Sequence, residues 1–256
     1  MPARLQLVIP CYNEARRLNP DAFLEFVGRR NDAQLLFVDD GSADGMTPAA
    51  LAELSARSAG KISVMTLSHN MGKTLAIQQG VLKAFELKPE LVGYWDADLS
   101  TPLNAVAEFI EVLDANPGID IVIGARVRLL GRHIERRAIR HYCGRLFGTA
   151  VSLLLGVGVY DTQCGAKVFR STAPVRRVFD APFRTRWLVD VEMLSRYLAE
   201  LGTQAGESRI YELPLKQWTE IPGSHLGPWQ VARAVWDLAC VGRASRQQRS
   251  DPGQES

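Results

Sequence analysis

The sequence predicts an α/β fold: a mostly parallel, Rossmann-like central sheet flanked by helices, followed by a less regular second half. Three observations carry that expectation. Apolar runs alternate with helix-period segments along residues 1–125, the pattern of βα units in a parallel sheet. Three segments open on a capping residue and a proline, Asn19-Pro20, Thr47-Pro48 and Thr101-Pro102; proline suits a first helical turn, where its missing N–H is not needed. Each apolar run is followed by a short polar segment, and open α/β sheets bind ligands beyond the carboxyl ends of their strands.

The elements follow in order. Residues 5–9 form an apolar run suited to a strand buried on both faces. Asn19-Pro20 starts a helix carrying Ala22, Phe23, Phe26 and Val27. Residues 35–38 read as a second strand, Thr47-Pro48 opens the next helix, and 62–66 is a third strand before a helix over 73–86. Residues 91–95 are a fourth strand. Thr101-Pro102 then opens a helix with Val106, Phe109, Ile110 and Leu113 on one face. Residues 119–123 are a fifth strand. Beyond it, 133–159 reads as a helix, basic at first and apolar later, and 161–170 as extended. A helix over 190–201 turns Val191, Leu194 and Leu198 inward, 210–215 is a strand, and 229–243 is an amphipathic helix. The polar tail, 247–256, is expected to be disordered.

Composition excludes several classes. Of 256 residues, 46% are hydrophobic and 23% charged, with net charge +2; these are values of an ordinary globular chain able to bury a sizeable core. The basic residues are uneven: Arg126, Arg128, Arg132, Arg136, Arg137, Arg140 and Arg145 fall in one stretch, and Arg233, Arg243, Arg246 and Arg249 near the end. Both clusters point to phosphate or lipid headgroups rather than nucleic acid. Cys11, Cys143, Cys164 and Cys240 are far apart and form no Cys-x-x-Cys pair, against a zinc site or disulfide framework and in keeping with a reducing cytosol. The N-terminus leads into a strand without a secretory signal, and the longest nearly apolar run, 146–160, is short for a membrane span.

The polar segments carry the chemistry. They are Pro10-Cys11-Tyr12-Asn13-Glu14, Asp39-Asp40-Gly41-Ser42, Ser68-His69-Asn70-Met71-Gly72-Lys73, Asp96-Ala97-Asp98 and Gly124-Ala125-Arg126. Asp96 and Asp98, two apart where a strand ends, can aim hard oxygens at one Mg²⁺ or Mn²⁺ that takes its other ligands from water and phosphates. Lys73 opens a helix, where backbone N–H groups and an ammonium both favour phosphate.

With Ile9-Pro10-Cys11-Tyr12-Asn13-Glu14, Val38-Asp39-Asp40-Gly41-Ser42, Asn70-Met71-Gly72-Lys73 and Asp96-Ala97-Asp98, the chain resembles family 2 glycosyltransferases of the GT-A fold. Asp161-Thr162-Gln163-Cys164-Gly165-Ala166-Lys167, Asp190-Val191-Glu192 and Trp218-Thr219-Glu220-Ile221-Pro222-Gly223-Ser224 make it most similar to the dolichyl- or polyprenyl-phosphate sugar synthases, the glucosyl branch above all. The resemblance implies one domain over 1–224, with a nucleotide-sugar half (1–125) and an acceptor half (126–224), then a C-terminal helix over 225–246. It implies that Pro10, Tyr12, Glu14, Asp39, Lys73, Asp96 and Ala97 bind the nucleotide sugar, with Glu14 on a ribose hydroxyl and Asp39 on a base N–H such as uracil offers. Asp98 is the leading metal ligand, Asp96 binds metal or ribose, and Asp40 organises its own turn. Asp98, Asp161 and Gln163 are the catalytic candidates, Gln163 toward the sugar or acceptor.

The resemblance thus implies a metal-dependent, inverting transfer from a nucleotide sugar, UDP-glucose above others, to a polyprenyl or dolichyl monophosphate. Such an acceptor is already anionic and needs orientation rather than a base. Arg126, Arg137 and Arg140 are the candidates for its phosphate. A hydroxyl acceptor would instead need Asp161, Asp190 or Glu192 as base; on a helix, Asp190 and Glu192 point different ways. A lipid acceptor implies peripheral contact with an anionic membrane at its cytoplasmic face, through residues 146–155 and the helix bearing Trp229 and Trp236. For 146–155 a buried core helix is the alternative. A non-catalytic binding module on the same fold is a further alternative. A nicotinamide-binding domain is excluded because no Gly-x-Gly-x-x-Gly follows the first strand, and a P-loop because Leu67 stands where its first glycine is required.

Overall fold

The computed structural model describes residues 3–135, 138–221 and 237–238, with backbone only for 138–143. Its centre is a seven-stranded sheet in the order β3-β2-β1-β4-β7-β5-β8. The strands are β1 (Leu5–Cys11), β2 (Ala33–Asp39), β3 (Ile62–Thr66), β4 (Leu91–Trp95), β5 (Ile121–Ala125), β7 (Ala166–Arg170) and β8 (Ile210–Pro214). All pairings are parallel except those of β7, which runs antiparallel to both β4 and β5. Strands from the second half therefore complete the sheet begun by the first. A two-stranded parallel ribbon of β6 (His133–Glu135) and β9 (Gln217–Thr219) stands apart.

Alternation along the strands splits the core in two. Leu5, Leu7 and Ile9 of β1 face α1 (Pro20–Arg29), α2 (Thr47–Arg57) and α4 (Val106–Ala115), against Phe23, Leu51, Phe109 and Leu113. Val8, between them, faces α3 (Lys73–Glu86), α5 (Ala138–Leu155), α6 (Ala173–Asp180) and α7 (Val189–Leu201), against Ile77, Val81, Leu194 and Tyr197. A strand buried on both faces must be apolar at successive positions, and β1 and β2 are. Gly80 of α3 lets that helix close on the sheet: a β-carbon there would lie 2.4 Å from Val8 Cγ1.

Several expectations hold in detail. β3, α3 and β4 span the residues expected, and Asn19 Oδ1 caps α1 by accepting from the Ala22 N–H. Others need correction. Thr47 does not cap α2; its hydroxyl donates to Asp44 Oδ2, and Asp44 Oδ1 accepts the Met46 and Thr47 N–H groups. Thr101-Pro102 leads into a 3-10 turn, Leu103–Ala105, before α4, and the Thr101 carbonyl accepts from the Trp95 indole at 2.7 Å. β5 lies two residues later than expected, because Asp120 and Ile121 first hydrogen-bond the Arg209 carbonyl. The helix expected over 133–159 begins as strand β6 and ends at Leu155, before Gly156 at φ +73°. α6, β9 and the short α8 (Thr203–Glu207) were not anticipated. The helix expected over 229–243 and the tail lie outside the described residues, apart from 237–238.

Phe109 is fully buried and meets Trp95 edge-on, with centroids 5.2 Å apart. Phe109→Ala is expected to cost about 3–5 kcal/mol of stability, read from chemical denaturation. A loss below about 1 kcal/mol would mean that this face of the sheet is not the tight core described.

Candidate active site

The site forms where β1, β2 and β4, neighbours in the sheet, end together. Cys11 and Asp39 are paired in register, and Trp95 closes β4, so Tyr12, Asp40 and Asp96 leave the sheet along one edge. Hydrogen bonds then lock the loops to each other. The Asn13 N–H donates to Ser42 Oγ at 2.9 Å, and Asn13 Oδ1 accepts from Ala43 and Asp44. Asp39 Oδ1 accepts the Ser42 N–H, whereas Asp40 reaches across to the Met71 and Gly72 N–H groups at 2.7 and 2.8 Å. Asp39, and not Asp40, therefore organises the Gly41-Ser42 turn, and Asp40 ties it to the entry of α3. Gly41 is obligatory there: its φ is +67°, and a β-carbon would lie 2.5 Å from the His69 backbone.

The acidic pair sits where these loops meet. Lys73, first residue of α3, donates to Asp96 Oδ1 at 2.5 Å. Arg17 pairs with Glu14 and brings Nη1 to 4.0 Å from Asp98 Oδ2. Asp98 Oδ1 accepts the Ser100 N–H at 3.0 Å across a tight turn in which Leu99 takes φ +54°. Burial pulls the Lys73 ammonium toward deprotonation, but Asp96, Asp190 and Asp98 outweigh it and hold its pKa above the ordinary value. Burial raises the Glu14 carboxyl, Arg17 opposes it, and Asp98 and Asp96 push the same way as burial. Glu14, Asp96 and Asp98 thus share one field, with Lys73 and Arg17 as its counter-charges.

β7 packs against this pair from the other side. Because it is antiparallel, its first residue Ala166 lies opposite Trp95, and the Gly165 carbonyl accepts the Asp96 N–H at 2.9 Å. A β-carbon on Gly165 would sit 1.8 Å from Asp96 Oδ2. Lys167, with 0% of its side chain exposed, pairs with Asp190 at 2.5 Å and donates to the Thr162 and Cys164 carbonyls. The Tyr94 hydroxyl also donates to Asp190. The Thr162–Cys164 loop is therefore pinned from beneath, next to Asp96.

Unmet hydrogen-bonding atoms mark what the site would take. Glu14 Oε2 and Asp39 Oδ2 are buried acceptors without a protein partner, and Thr162 Oγ1 and Gln163 Nε2, which follow Asp161 in sequence, are also unsatisfied. Tyr12 is exposed above the edge; Pro10 is half-buried and Ala97 buried. Asp96 and Asp98 are oxygen donors suited to Mg²⁺ or Mn²⁺. No group of three or more metal-ligating side chains occurs among the described residues, so such an ion would complete its shell from water and phosphate oxygens.

The acceptor candidates fare differently. Arg126 is held: Nε and Nη2 donate to Asp161 at 2.6 and 2.8 Å, and the guanidinium lies 5.2 Å from the Trp218 ring centroid. Arg137 lies outside the described residues, and of Arg140 only its place on α5 is described. Glu192 accepts from Arg184, Thr185 and Arg196, so it braces its own neighbourhood, while Asp190 faces Lys167; the two do diverge as their helical spacing requires.

Sequence reasoning missed five contributors. Arg17 had a signal, its i+3 spacing from Glu14. Lys167 had a stronger one, a lysine inside the apolar run Ala166-Lys167-Val168-Phe169, since a charge in a buried strand must find a partner. Gly165 had none until β7 was seen to be antiparallel. Arg186 and Trp187 had none either: Arg186 donates to Asn70 Oδ1, its carbonyl accepts the Thr74 N–H, and exposed Trp187 follows it at the rim.

A mostly parallel sheet with one antiparallel strand, carrying an acidic pair, a lysine at a helix start and unmet acceptors along its carboxyl edge, defines a GT-A glycosyltransferase. The chain belongs to glycosyl transferase family 2, whose pattern matches residues 6–173. Among its relatives, the dolichyl-phosphate beta-glucosyltransferase of Homo sapiens is 32% identical over 261 residues, covering 93% of this chain and 74% of that protein. That of Dictyostelium discoideum is 31% identical over 240 residues, covering 88% and 69%. Among solved structures, glucosyl-3-phosphoglycerate synthase from Mycobacterium tuberculosis in complex with UDP superposes with a TM-score of 0.65 at 18% identity, over 94% of this chain and 80% of that one. Its complex with Mn²⁺, UDP-glucose and phosphoglyceric acid gives 0.62 at 17%, over 93% and 80%. At such identity the likeness is one of fold.

Two outcomes are expected. Gly165→Ala should leave a folded protein but displace the Asp96 carboxylate, lowering transfer by about 100-fold; near-normal turnover would show that Asp96 tolerates displacement. Because the folded state holds the Glu14 proton more tightly than the unfolded chain, it loses stability as pH rises from the ordinary carboxylate value through the raised one. Glu14→Gln removes that loss, so its melting temperature should gain on the wild type as pH rises above the ordinary carboxylate value. Parallel pH profiles of the two proteins would refute the raised pKa.

Proposed function

We propose that this enzyme transfers glucose from UDP-glucose to a polyprenyl or dolichyl monophosphate, giving a β-linked lipid-phosphate glucose and UDP. The observation that carries the reading is the state of the three carboxylates a hydroxyl acceptor would need as base. Asp161 is ion-paired with Arg126, Asp190 with Lys167, and Glu192 with Arg196. Each is thereby held on a protein cation instead of standing open to an acceptor hydroxyl. A phosphate acceptor needs no base, and the relatives are named for one.

The residues divide the work as follows. The Tyr12 ring and Pro10 line the base, Asp39 Oδ2 accepts the uracil N–H, and Glu14 Oε2 accepts from the ribose, each filling an acceptor left unmet in the protein. Asp98 and Asp96, with Ala97 between them, would hold Mg²⁺ or Mn²⁺. Bound there, the ion supplies positive charge to the departing UDP. Lys73 adds an ammonium on the same diphosphate and Gln163 Nε2 a donor toward sugar or acceptor. The acceptor phosphate oxygen attacks the glucosyl C1 in line and forms the new C–O bond. The bond from C1 to the diphosphate oxygen breaks, its electron pair leaving with UDP, so the configuration inverts. Asp161 positions Arg126, which with Arg137 and Arg140 of the same basic stretch is proposed to take the acceptor phosphate. The enzyme would work peripherally on the cytoplasmic face of a membrane; among the described residues no helix is long and apolar enough to cross one.

The test incubates purified protein with a panel of nucleotide sugars, polyprenyl phosphate and Mn²⁺ or Mg²⁺, and weighs the lipid products. UDP-glucose and a lipid heavier by one hexose are expected, with Asp98→Asn slower by about two to three orders of magnitude. Glucosylation of a hydroxyl acceptor with polyprenyl phosphate untouched would promote the base-assisted alternative.

A further inference from the structure

The loop after β5 has a built apolar tip that the proposed chemistry does not use. Residues 129–132 form a β-turn closed by the Arg132 N–H donating to the Leu129 carbonyl at 3.1 Å, with Gly131 at φ +79°. Glycine at that third position is what a type II turn requires. The turn lifts Leu130 clear of the protein, 105% exposed, with Leu129 beside it at 49%. Both ends of the loop are fastened: the Leu215 N–H donates to the Ala125 carbonyl, and the His133 N–H to the Lys216 carbonyl. Two adjacent leucines held in water on a fixed turn have an unfavourable hydration that something must offset.

Helix α5 repeats the feature nearby. Val151 and Leu155 are buried in the core, while Leu146 and Leu153, seven residues apart on one face, are 74% and 81% exposed. The Arg145 guanidinium lies over the Tyr160 ring at 3.8 Å, and the next residue, Asp161, grips Arg126 at the root of the loop. The start of this exposed face and the root of the loop therefore meet at residues 160–161. Charge identifies the occupant. From Ile121 to Tyr160 the chain carries seven arginines and a single carboxylate, Glu135. Apolar tips set among arginines match a bilayer with anionic headgroups, leucines in the acyl boundary and guanidinium groups on phosphate.

We infer that the Leu129-Leu130 turn is a membrane-insertion tip, which docks this face on an anionic lipid surface and brings the acceptor headgroup to Arg126, with the Leu146 and Leu153 face of α5 as its second contact. This rests on the proposed lipid acceptor for its purpose, but not for its test. The full chain is sedimented with vesicles of phosphatidylcholine alone and of phosphatidylcholine with phosphatidylglycerol, without donor or acceptor. Binding is expected to favour the anionic vesicles, to weaken with salt, and to fall about tenfold or more in a Leu129→Ser, Leu130→Ser double variant. The variant should melt close to the wild type, since Leu130 is fully exposed and Leu129 half exposed. Leu153→Ser alone should show a smaller loss. Equal vesicle binding by wild type and double variant would overturn the inference. So would a concentration-dependent dimer, formed without lipid and abolished by the double substitution, which would make the tip a contact between copies. If the wild type binds through the tip yet leaves polyprenyl phosphate unglucosylated, the membrane surface stands and the acceptor reading falls.

Discussion

The active-site geometry depends on one close approach: Gly165 against the carboxylate of Asp96. It arises because β7 enters the sheet antiparallel between β4 and β5, so its start abuts the end of β4. Asp96 is then fixed on three sides, by the Gly165 carbonyl on its N–H, by the missing side chain at Gly165, and by the Lys73 ammonium on Oδ1. Beneath them the buried Lys167–Asp190 pair pins the Thr162–Cys164 loop to α7. Removing one member of such a pair strands the other charge, a loss of about 3–5 kcal/mol. The pair thus couples the stability of the second half to the position of the Asp96 carboxylate.

Charge pairing also explains how one site holds many carboxylates without a tight metal cage. Burial, with Asp98 and Asp96 close by, raises the Glu14 carboxyl, while Arg17 pairs with Glu14 and Lys73 with Asp96. A diphosphate brings its own negative charge, so cations already placed at the edge make its arrival favourable. On the acceptor side, Asp161 and Arg126 form a bidentate pair in a buried setting, a rigid unit that orients the guanidinium. The same pairing that occupies Asp161 fixes the Arg126 guanidinium in place.

Helix α5 shows why a single residue pattern can serve two environments. The run from Leu146 onward packs one face into the core through Val151 and Leu155 and leaves Leu146 and Leu153 in solvent. The core-helix alternative describes its buried face; a helix with leucines all round has apolar residues left over once one face is covered. The loop after β5 adds further apolar exposure at Leu129 and Leu130.

Most of the sheet was legible in the sequence, because strands buried on both faces and helices opened by Asn19-Pro20 or Lys73 leave local patterns that survive folding. The site loops were legible for the same reason: polar segments at the ends of parallel strands converge by topology alone. What failed locally had competing partners. Thr47 and Thr101 look like helix caps, but Asp44 and the Trp95 indole engage them otherwise. Residues 133–135 carry no helix breaker, yet β9, more than eighty residues away, recruits them as a strand. The sequence by itself determined the chemistry available, hard oxygens, a lysine at a helix start and an arginine-rich stretch. Only the tertiary structure decided which groups are free to use it: it tied Arg126 to Asp161, buried Lys167 on Asp190 and placed Gly165 against Asp96. Each of those pairings joins residues distant along the chain, and no local pattern records a partner that is chosen by packing.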